Sequence, residues 1–209
     1  KEEKTEQAGI DPARAEELCG RYFSDYKIAE LSKDELAFFL KQKEFIGVNV
    51  TIPYKEAVIP YCILDEVSEA IGSVNTIVNR NGTLYAYNTD CLGFLYMATN
   101  AGISFMGKKV AILGSGGTAK TAVYVSKTQK ASEIVVLSRH ADSVREMYKE
   151  VTIADYTQKE LYENAEIVIN TTPMGMYPNI DNQAVDLEIF TNLQAVIDVV
   201  YNPLCTALT

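Results

Sequence analysis

A lysine, an aspartate and several hydroxyl and amide side chains are the residues of this sequence best suited to chemistry. Lys55 follows Thr51 by about one helical turn, so we expect both to face one cleft. Asn75 and Asp90 lie at the ends of further predicted strands. Such groups can converge on a polar, hydroxylated molecule, where a lysine and an aspartate can perform acid–base chemistry. From spacing alone, a surface ion pair with turn-forming Asn and Asp residues is an equally good interpretation.

A glycine-rich turn follows an apolar predicted strand. In Val-Ala-Ile-Leu-Gly-Ser-Gly-Gly-Thr-Ala, residues 110–119, the positions of Gly114, Gly116 and Ala119 have G-x-G-x-x-A spacing. This spacing lets the backbone approach a pyrophosphate at a helix N-terminus, so we predict a dinucleotide site. A tight turn that serves only packing is the alternative, because such turns join many strands to helices.

The end of the next predicted strand indicates which dinucleotide would bind. An acidic residue there binds the ribose hydroxyls of NAD(H), whereas a basic residue accepts the 2′-phosphate of NADP(H). Residues 137–140 read Leu-Ser-Arg-His, and Arg139 carries a planar guanidinium suited to phosphate. NADP(H) is therefore favoured, with Arg145 as a second candidate cation. The other interpretation of Arg139 is a solvated charge at a strand end.

The elements that must position these groups change in order near residue 102. Before it, helices are predicted at 13–18, 36–43, 53–63, 65–71 and 93–101, and strands at 26–31, 47–52, 74–79 and 83–87. Ser32 and Glu35 form a capping box, and Asn81-Gly82 is a strong hairpin signal. This mixture predicts an α/β domain that binds the substrate, over residues 1–102.

From residue 109 onward, strands and helices alternate, which is typical of a parallel sheet. Strands are predicted at 110–113, 133–137, 166–170 and 195–200, and helices at 119–130, 143–150 and 159–164. A second capping box is predicted at Thr157 and Glu160. The fold class is therefore α/β, with a Rossmann-like, parallel-sheet NADP-binding domain over residues 103–209.

Composition excludes several classes of partner and site. The net charge is −9 and the basic residues are dispersed, so we expect neither a nucleic-acid nor a membrane partner. The four cysteines show no C-x-x-C spacing and no neighbouring histidines, so we expect no disulfide framework and no metal site. A charged N-terminus and the lack of a membrane-length apolar run predict a cytoplasmic protein.

Six motifs stand out along the sequence, in this order: Asn49-Val-Thr-Ile-Pro-Tyr-Lys55, Gly72-Ser-Val-Asn-Thr76, Asn88-Thr-Asp90, Gly114-Ser-Gly-Gly-Thr-Ala119, Asn170-Thr-Thr-Pro-Met-Gly175 and Asp198-Val-Val-Tyr-Asn-Pro203. In motifs, order and spacing, the sequence resembles the shikimate dehydrogenase family over roughly residues 22–209. The resemblance implies a two-domain, NADP-dependent enzyme of aromatic amino-acid (chorismate) biosynthesis that interconverts 3-dehydroshikimate and shikimate.

The resemblance also implies roles for matched positions. Lys55 and Asp90 correspond to the family's catalytic pair. The positions that would contact shikimate are Thr51, Asn75, Asp90 and Tyr201. Those that would contact NADP are Gly114, Ser115, Gly116, Gly117, Thr118, Ser138, Arg139 and Val199. The residues 170–175 would pass close to the nicotinamide, and no metal is implied.

Two departures from the family pattern concern substrate binding. Residues 1–24 contain neither an apolar first strand nor the serine-x-serine motif that binds the substrate carboxylate in the family. The sequence also ends at Thr209, before the helices that carry a substrate-binding glutamine. We therefore expect substrate affinity to suffer more than cofactor affinity. The alternatives are a quinate/shikimate dehydrogenase and a non-catalytic nucleotide-binding homologue, and both a monomer and a homodimer fit the sequence.

Overall fold

The computed structural model describes residues 27–209, and within them the chain forms two sheets. The helix predicted over residues 13–18 lies outside the described residues. The strand predicted at 26–31 is wrong over its described part, because residues 27–32 adopt neither helix nor strand. The first regular element is α1 (Lys33–Gln42), which begins at the predicted capping box of Ser32 and Glu35.

The first sheet has four strands in the order β1-β3-β4-β2. Its strands are β1 (Gly47–Asn49), β2 (Ile63–Leu64), β3 (Thr76–Arg80) and β4 (Thr83–Tyr87). The predicted hairpin joins β3 to β4, and Asn81 and Gly82 both have left-handed φ angles, of 52° and 82°. Because a two-residue turn of this type matches the strand twist, it fixes the register of the hairpin.

The helix predicted over residues 53–63 is wrong. The chain instead makes turns, a short 3-10 helix at Ile59–Tyr61, and then β2, which pairs parallel to β4. Pro60 removes a backbone donor that a continuous α-helix needs, and Val58 is fully buried against the first sheet. Packing against the core and pairing with β4 therefore determine the structure of this segment, and its helical periodicity does not.

Two further helices belong to this half of the chain, one between β2 and β3 and one after β4. The first, α2 (Glu66–Ile71), begins at the N-cap Asp65, as the predicted helix at 65–71 does. The second, α3 (Thr89–Asn100), begins four residues before the predicted start, because the Asn88 side chain accepts a hydrogen bond from the Cys91 N–H and so acts as N-cap. The early start brings Asp90 into the first turn of α3.

The second sheet is fully parallel, with strands in the order β7-β6-β5-β8-β9. Its strands are β5 (Lys109–Leu113), β6 (Glu133–Leu137), β7 (Thr152–Ala154), β8 (Ile167–Asn170) and β9 (Ala195–Asp198). The helix α4 (Gly117–Thr128) connects β5 to β6, as predicted for a Rossmann-like domain. The edge strand β7 was not predicted, since three residues carry too little periodicity.

Two predicted helices of this half are shorter in the structure. The helix expected at 143–150 is reduced to α5 (Ala141–Val144), and the one expected at 159–164 to a 3-10 helix at Lys159–Leu161. The capping box predicted at Thr157 is wrong, because its N–H and its hydroxyl both donate to the Asp155 carboxylate. That local turn uses the polar groups that a helix start would have needed.

One buried cluster joins α2, α3 and α4 to the second sheet, and the strands of the first sheet pack in a separate cluster. Phe94 and Ala98 of α3 belong to the same buried cluster as Ala122 and Val123 of α4 and Ile112 of β5. This packing places the start of α3, with Asp90, beside the start of α4. None of the helices in the described range has the length and apolar character that a bilayer crossing requires.

Candidate active site

The two predicted catalytic residues, Lys55 and Asp90, form a close ion pair. The Lys55 Nζ donates to Asp90 Oδ2 at 2.6 Å, and the two side chains are 17% and 37% exposed. The structure therefore brings together an ammonium and a carboxylate that are 35 residues apart. A pair that is largely shielded and still reachable by a ligand is suited to acid–base chemistry rather than to surface charge alone.

Asn75 holds the other oxygen of this aspartate. Its Nδ2 donates to Asp90 Oδ1 at 2.6 Å and to Thr89 Oγ1 at 2.9 Å, while its Oδ1 accepts from the Thr89 N–H at 2.9 Å. Both carboxylate oxygens of Asp90 are thus engaged, one by Lys55 and one by Asn75. The arrangement fixes the carboxylate plane and, through it, the direction of the ammonium.

Asn88 anchors this network to the backbone, a role that sequence reasoning did not assign. Its side chain accepts from the Cys91 N–H at 3.1 Å and donates to the Ser73 carbonyl at 2.9 Å. The adjacent Val74 N–H donates to the Lys55 carbonyl at 2.8 Å. The segments that carry Lys55, Asn75 and Asp90 are therefore tied together. An Asn directly before a helix start was the available signal, since Asn is a favoured N-cap.

Two other positions predicted for the substrate lie on exposed segments. Thr51 follows β1 and its carbonyl accepts from the Tyr54 N–H at 2.9 Å. Tyr201 follows β9 and is exposed. Their contact with substrate stays a prediction.

The glycine-rich loop brings the start of α4 against the lysine. Gly114 has a φ of +99°, and a Cβ there would lie 3.0 Å from side-chain atoms of Thr171 and Thr172. A Cβ at Gly117, the first residue of α4, would lie 3.0 Å from Ser73 Oγ and 3.7 Å from Lys55 Cδ. Only residues without side chains allow this approach. The N-terminal end of α4, which favours anions, therefore opens beside Lys55.

A polar cavity lies beyond the end of β6. It measures about 580 Å³ and is lined by Arg139, His140, Ala141, Asp142, Ser143, Arg145, Asp155 and Gln158. Arg139 supplies a positive charge suited to phosphate, whereas the Arg145 Nε lies 3.3 Å from Asp142 Oδ1. Burial raises the pKa of Tyr156 to about 12, although the positive charge of Arg139 acts to lower it. The Tyr156 hydroxyl therefore stays neutral.

Ser138 links this cavity to the glycine loop. Its hydroxyl lies 3.1 Å from Ser115 Oγ and accepts from the His140 N–H at 3.1 Å. Ser138 is buried, so this contact is shielded from solvent. The loop and the end of β6 therefore form one continuous polar surface that could hold a dinucleotide phosphate chain and an adenosine phosphate.

A buried amide network closes the same edge of the sheet. Asn170, at the end of β8, donates to Asp198 Oδ1 at 3.0 Å, and its carbonyl accepts from the Val199 N–H at 3.1 Å. Asp198 also accepts from Thr206 Oγ1 at 2.6 Å. These hydrogen bonds were not predicted from the sequence. The network holds Val199, a predicted cofactor contact, at the carboxyl edge of the sheet, where α/β folds bind their ligands.

The cysteines and the acidic residues do not form a second chemical centre in the described range. Cys62, Cys91 and Cys205 are free thiols, and no group of three metal-ligating side chains occurs among residues 27–209. The ion pair of Lys55 with Asp90 and the polar surface formed by the glycine loop and the end of β6 are therefore the features on which a function can be argued.

Two family models match the two halves of the chain. The one described as the shikimate dehydrogenase substrate binding domain matches residues 17–77. The one described as NADP oxidoreductase, coenzyme F420-dependent, matches residues 109–201. The first match covers Lys55 and Asn75, and the second covers the glycine loop and the end of β6.

Known proteins resemble the chain over most of its length. A shikimate dehydrogenase (NADP(+)) of Clostridium perfringens is 41% identical over 202 residues, which is 91% of this chain and 74% of that protein. The crystal structure of shikimate dehydrogenase 1 from Peptoclostridium difficile has a TM-score of 0.82 at 34% identity, covering 93% of this chain and 73% of that one. The enzyme from Thermus thermophilus, in complex with NADP(H) and shikimate, has a TM-score of 0.79 at 27% identity, covering 93% and 74%.

Proposed function

The chain belongs to the shikimate dehydrogenase family, and we propose that it is the NADP-dependent enzyme that interconverts 3-dehydroshikimate and shikimate. The observation that carries the proposal is the position of Lys55. Its ammonium is paired with Asp90 at 2.6 Å, and its side chain lies against Gly117, where the cofactor-binding helix begins. An acid–base group and a helix end suited to phosphate thus lie next to each other.

The residues at the carboxyl edge of the second sheet fit NADP. The start of α4 offers backbone N–H groups to a pyrophosphate, the space beside Gly116 is open, and Arg139 offers a cation for the 2′-phosphate. Ser115, Thr118, Ser138 and Val199 complete the proposed contacts. When bound, NADPH supplies the hydride that reduces the ring carbonyl.

The proposed role of Lys55 is to manage the charge and the proton at the substrate oxygen. During reduction, negative charge develops on that oxygen, and the ammonium stabilises it and donates a proton. In the oxidative direction, the neutral amine accepts the proton from the substrate hydroxyl. Asp90 orients Lys55, and Asn75 orients Asp90, as their hydrogen bonds support. Thr51 and Tyr201 are the further proposed substrate contacts.

The wider assignments of the sequence stay predictions. We propose a substrate domain over residues 1–102 and an NADP-binding domain over residues 103–209, in keeping with the two sheets. We also expect a cytoplasmic enzyme that acts as a monomer or a homodimer, on a small-molecule substrate and without nucleic acid.

A spectrophotometric assay of NADP⁺ reduction with shikimate tests the proposal. We expect turnover with shikimate and NADP⁺ that exceeds turnover with quinate or with NAD⁺. A preference for quinate with NAD⁺ would assign the chain to quinate chemistry instead. Binding of NADP⁺ without turnover of either acid would contradict the proposal and indicate a non-catalytic homologue.

A further inference from the structure

Tyr148 contacts the glycine loop through its hydroxyl. Its side chain is 5% exposed, and it lies four residues after α5 in the chain. Its hydroxyl donates to the Ser115 carbonyl at 3.1 Å and to the Gly116 carbonyl at 3.4 Å. One phenol hydrogen is thus shared between two consecutive carbonyls, a three-centre geometry common near helix ends.

These two carbonyls determine where the next two N–H groups point. A trans peptide unit is planar, and its C=O and N–H point in opposite directions. A donor fixed on the Ser115 carbonyl therefore turns the Gly116 N–H to the other side of the loop. The Gly116 carbonyl is held by Tyr148 together with the Lys120 N–H of α4, at 3.1 Å, and this turns the Gly117 N–H in the same way. Gly116 is the N-cap of α4 and has no side chain to accept from the first turn. Those first N–H groups of α4 have no intrahelical partners, so a phosphate can accept from them.

We propose that Tyr148 is a positioning residue of the pyrophosphate site: its hydroxyl orients the peptide units of Ser115 and Gly116 so that the following N–H groups face the cofactor phosphate. This inference rests on the proposed binding of NADP at the glycine loop. It assigns a role to a residue outside all six motifs and outside the loop itself.

Tyr148 is itself held firmly enough to fix the loop. Its N–H donates to the Val144 carbonyl at 3.2 Å, its carbonyl accepts from the Val151 N–H at 3.3 Å, and its ring packs in the core that contains α4. Burial, assisted by the negative charge of Glu56, raises the pKa of the Tyr148 hydroxyl far above neutrality. The group therefore stays protonated and donates throughout the working range of pH.

Two fragments of NADP separate this role from general stability. The first, 2′,5′-ADP, carries the 5′-phosphate that the loop would bind, whereas 2′-AMP carries only the phosphate assigned to Arg139. Tyr148→Phe removes the hydroxyl and keeps the ring. By calorimetry, we expect this variant to bind 2′,5′-ADP about 3- to 10-fold more weakly than wild type, as loss of one hydrogen bond implies, and to bind 2′-AMP with unchanged affinity.

Tyr162→Phe is the matched control. Tyr162 is 1% exposed, and its hydroxyl donates at 2.7 Å to the carbonyl of Tyr156, outside the loop. We expect this variant to lower thermal stability without changing the ratio of the two affinities. If Tyr148→Phe bound both fragments more weakly by the same factor, or bound neither of them more weakly, the inference would be overturned.

A measurement on the unchanged protein keeps the test independent of whether a variant folds. In amide spectra, the Gly116 and Gly117 N–H signals should shift with 2′,5′-ADP and stay in place with 2′-AMP. Identical responses to the two fragments would overturn the inference while leaving NADP binding intact. If wild type bound neither fragment, the cofactor site itself would be wrong, and the inference would be overturned with it.

Discussion

At the scale of single residues, the geometry leaves donors available where the substrate would react. A lysine ammonium has three hydrogens, and the Lys55 Nζ uses one of them on Asp90 Oδ2. Both oxygens of Asp90 are occupied, by Lys55 and by Asn75, so the carboxylate does not turn away from the lysine. The ammonium can therefore keep its orientation and still donate to a ligand oxygen, which preorganised catalysis requires.

Arg139→Ala tests the assignment of the 2′-phosphate. Loss of a charge-assisted hydrogen bond should lower kcat/KM for NADP⁺ by about 10- to 100-fold and leave that for NAD⁺ nearly unchanged. The measurement is the ratio of the two kcat/KM values with shikimate. Arg80→Ala is the control, because the Arg80 guanidinium lies over the Tyr85 ring of the first sheet, 5.2 Å from its centroid. An equal fall for both cofactors would argue against a phosphate contact.

At the scale of elements, β5, the turn at Gly114 and α4 determine the edge of the second sheet at which we propose that NADP binds. Successive side chains of β5 are buried in two different clusters, with Ile112 on the side of α4 and Leu113 on the other. The strand therefore ends deep in the molecule, and the chain must turn at Gly114 before α4 begins. That turn places backbone N–H groups, rather than side chains, at the crevice.

Gly114→Ala tests this turn. An alanine would have to adopt a φ of +99° with its Cβ 3.0 Å from Thr171 and Thr172. We expect the free energy of unfolding to fall by about 1–3 kcal/mol, with weaker NADP⁺ binding. Gly93→Ala in α3 is the control: nothing lies within 4 Å of its Cβ, and the change should stabilise the helix by roughly 0.5–1 kcal/mol. Wild-type stability and cofactor affinity in Gly114→Ala would contradict the account.

The same elements show what a sequence can and cannot predict. The hairpin at Asn81-Gly82 and the cap at Ser32 were predictable, because their chemistry lies within a few residues. The strand β2 was not, since it exists only by pairing with β4 about twenty residues later. The role of Tyr148 was missed for the same reason, whereas the capping role of Asn88 is local and was missed because the start of α3 was predicted four residues too late. Tyr148 and its partner Ser115 are 33 residues apart, so only the fold brings them together.

At the scale of the whole molecule, polar contacts join the segments around Lys55 and Asp90 to α4 of the second half. Asn88 donates to the Ser73 carbonyl at 2.9 Å and lies 3.5 Å from Thr121 Oγ1 of α4. Nearby, the Lys120 Nζ of α4 lies 2.8 Å from Oε1 of Glu56, the residue after Lys55. Because these polar contacts link the segment of Lys55 and the start of α3 to α4, the positions of Lys55 and of α4 depend on each other.

Asn88→Ala tests this coupling. Loss of the N-cap and of a buried donor should lower the free energy of unfolding by about 1–3 kcal/mol, and kcat should fall because Asp90 lies in the first turn of α3. Urea unfolding and steady-state kinetics measure the two effects. Asn88→Asp keeps the cap acceptor and loses the donor to Ser73, so it should recover only part of the stability. Full recovery in this variant would show that the donor to Ser73 is unimportant.

The most direct test of the account is turnover by Lys55→Ala with shikimate and NADP⁺. We predict a loss of at least about 10²-fold in kcat, since the proton donor is removed, with NADP⁺ affinity measured by calorimetry unchanged. Lys109→Ala is the control, because that lysine is also shielded, at 13% exposure, and pairs with Glu133 at 3.1 Å away from the crevice. The Lys109→Ala variant should keep the wild-type activity. A Lys55→Ala variant that turns over shikimate near the wild-type rate would contradict the central claim.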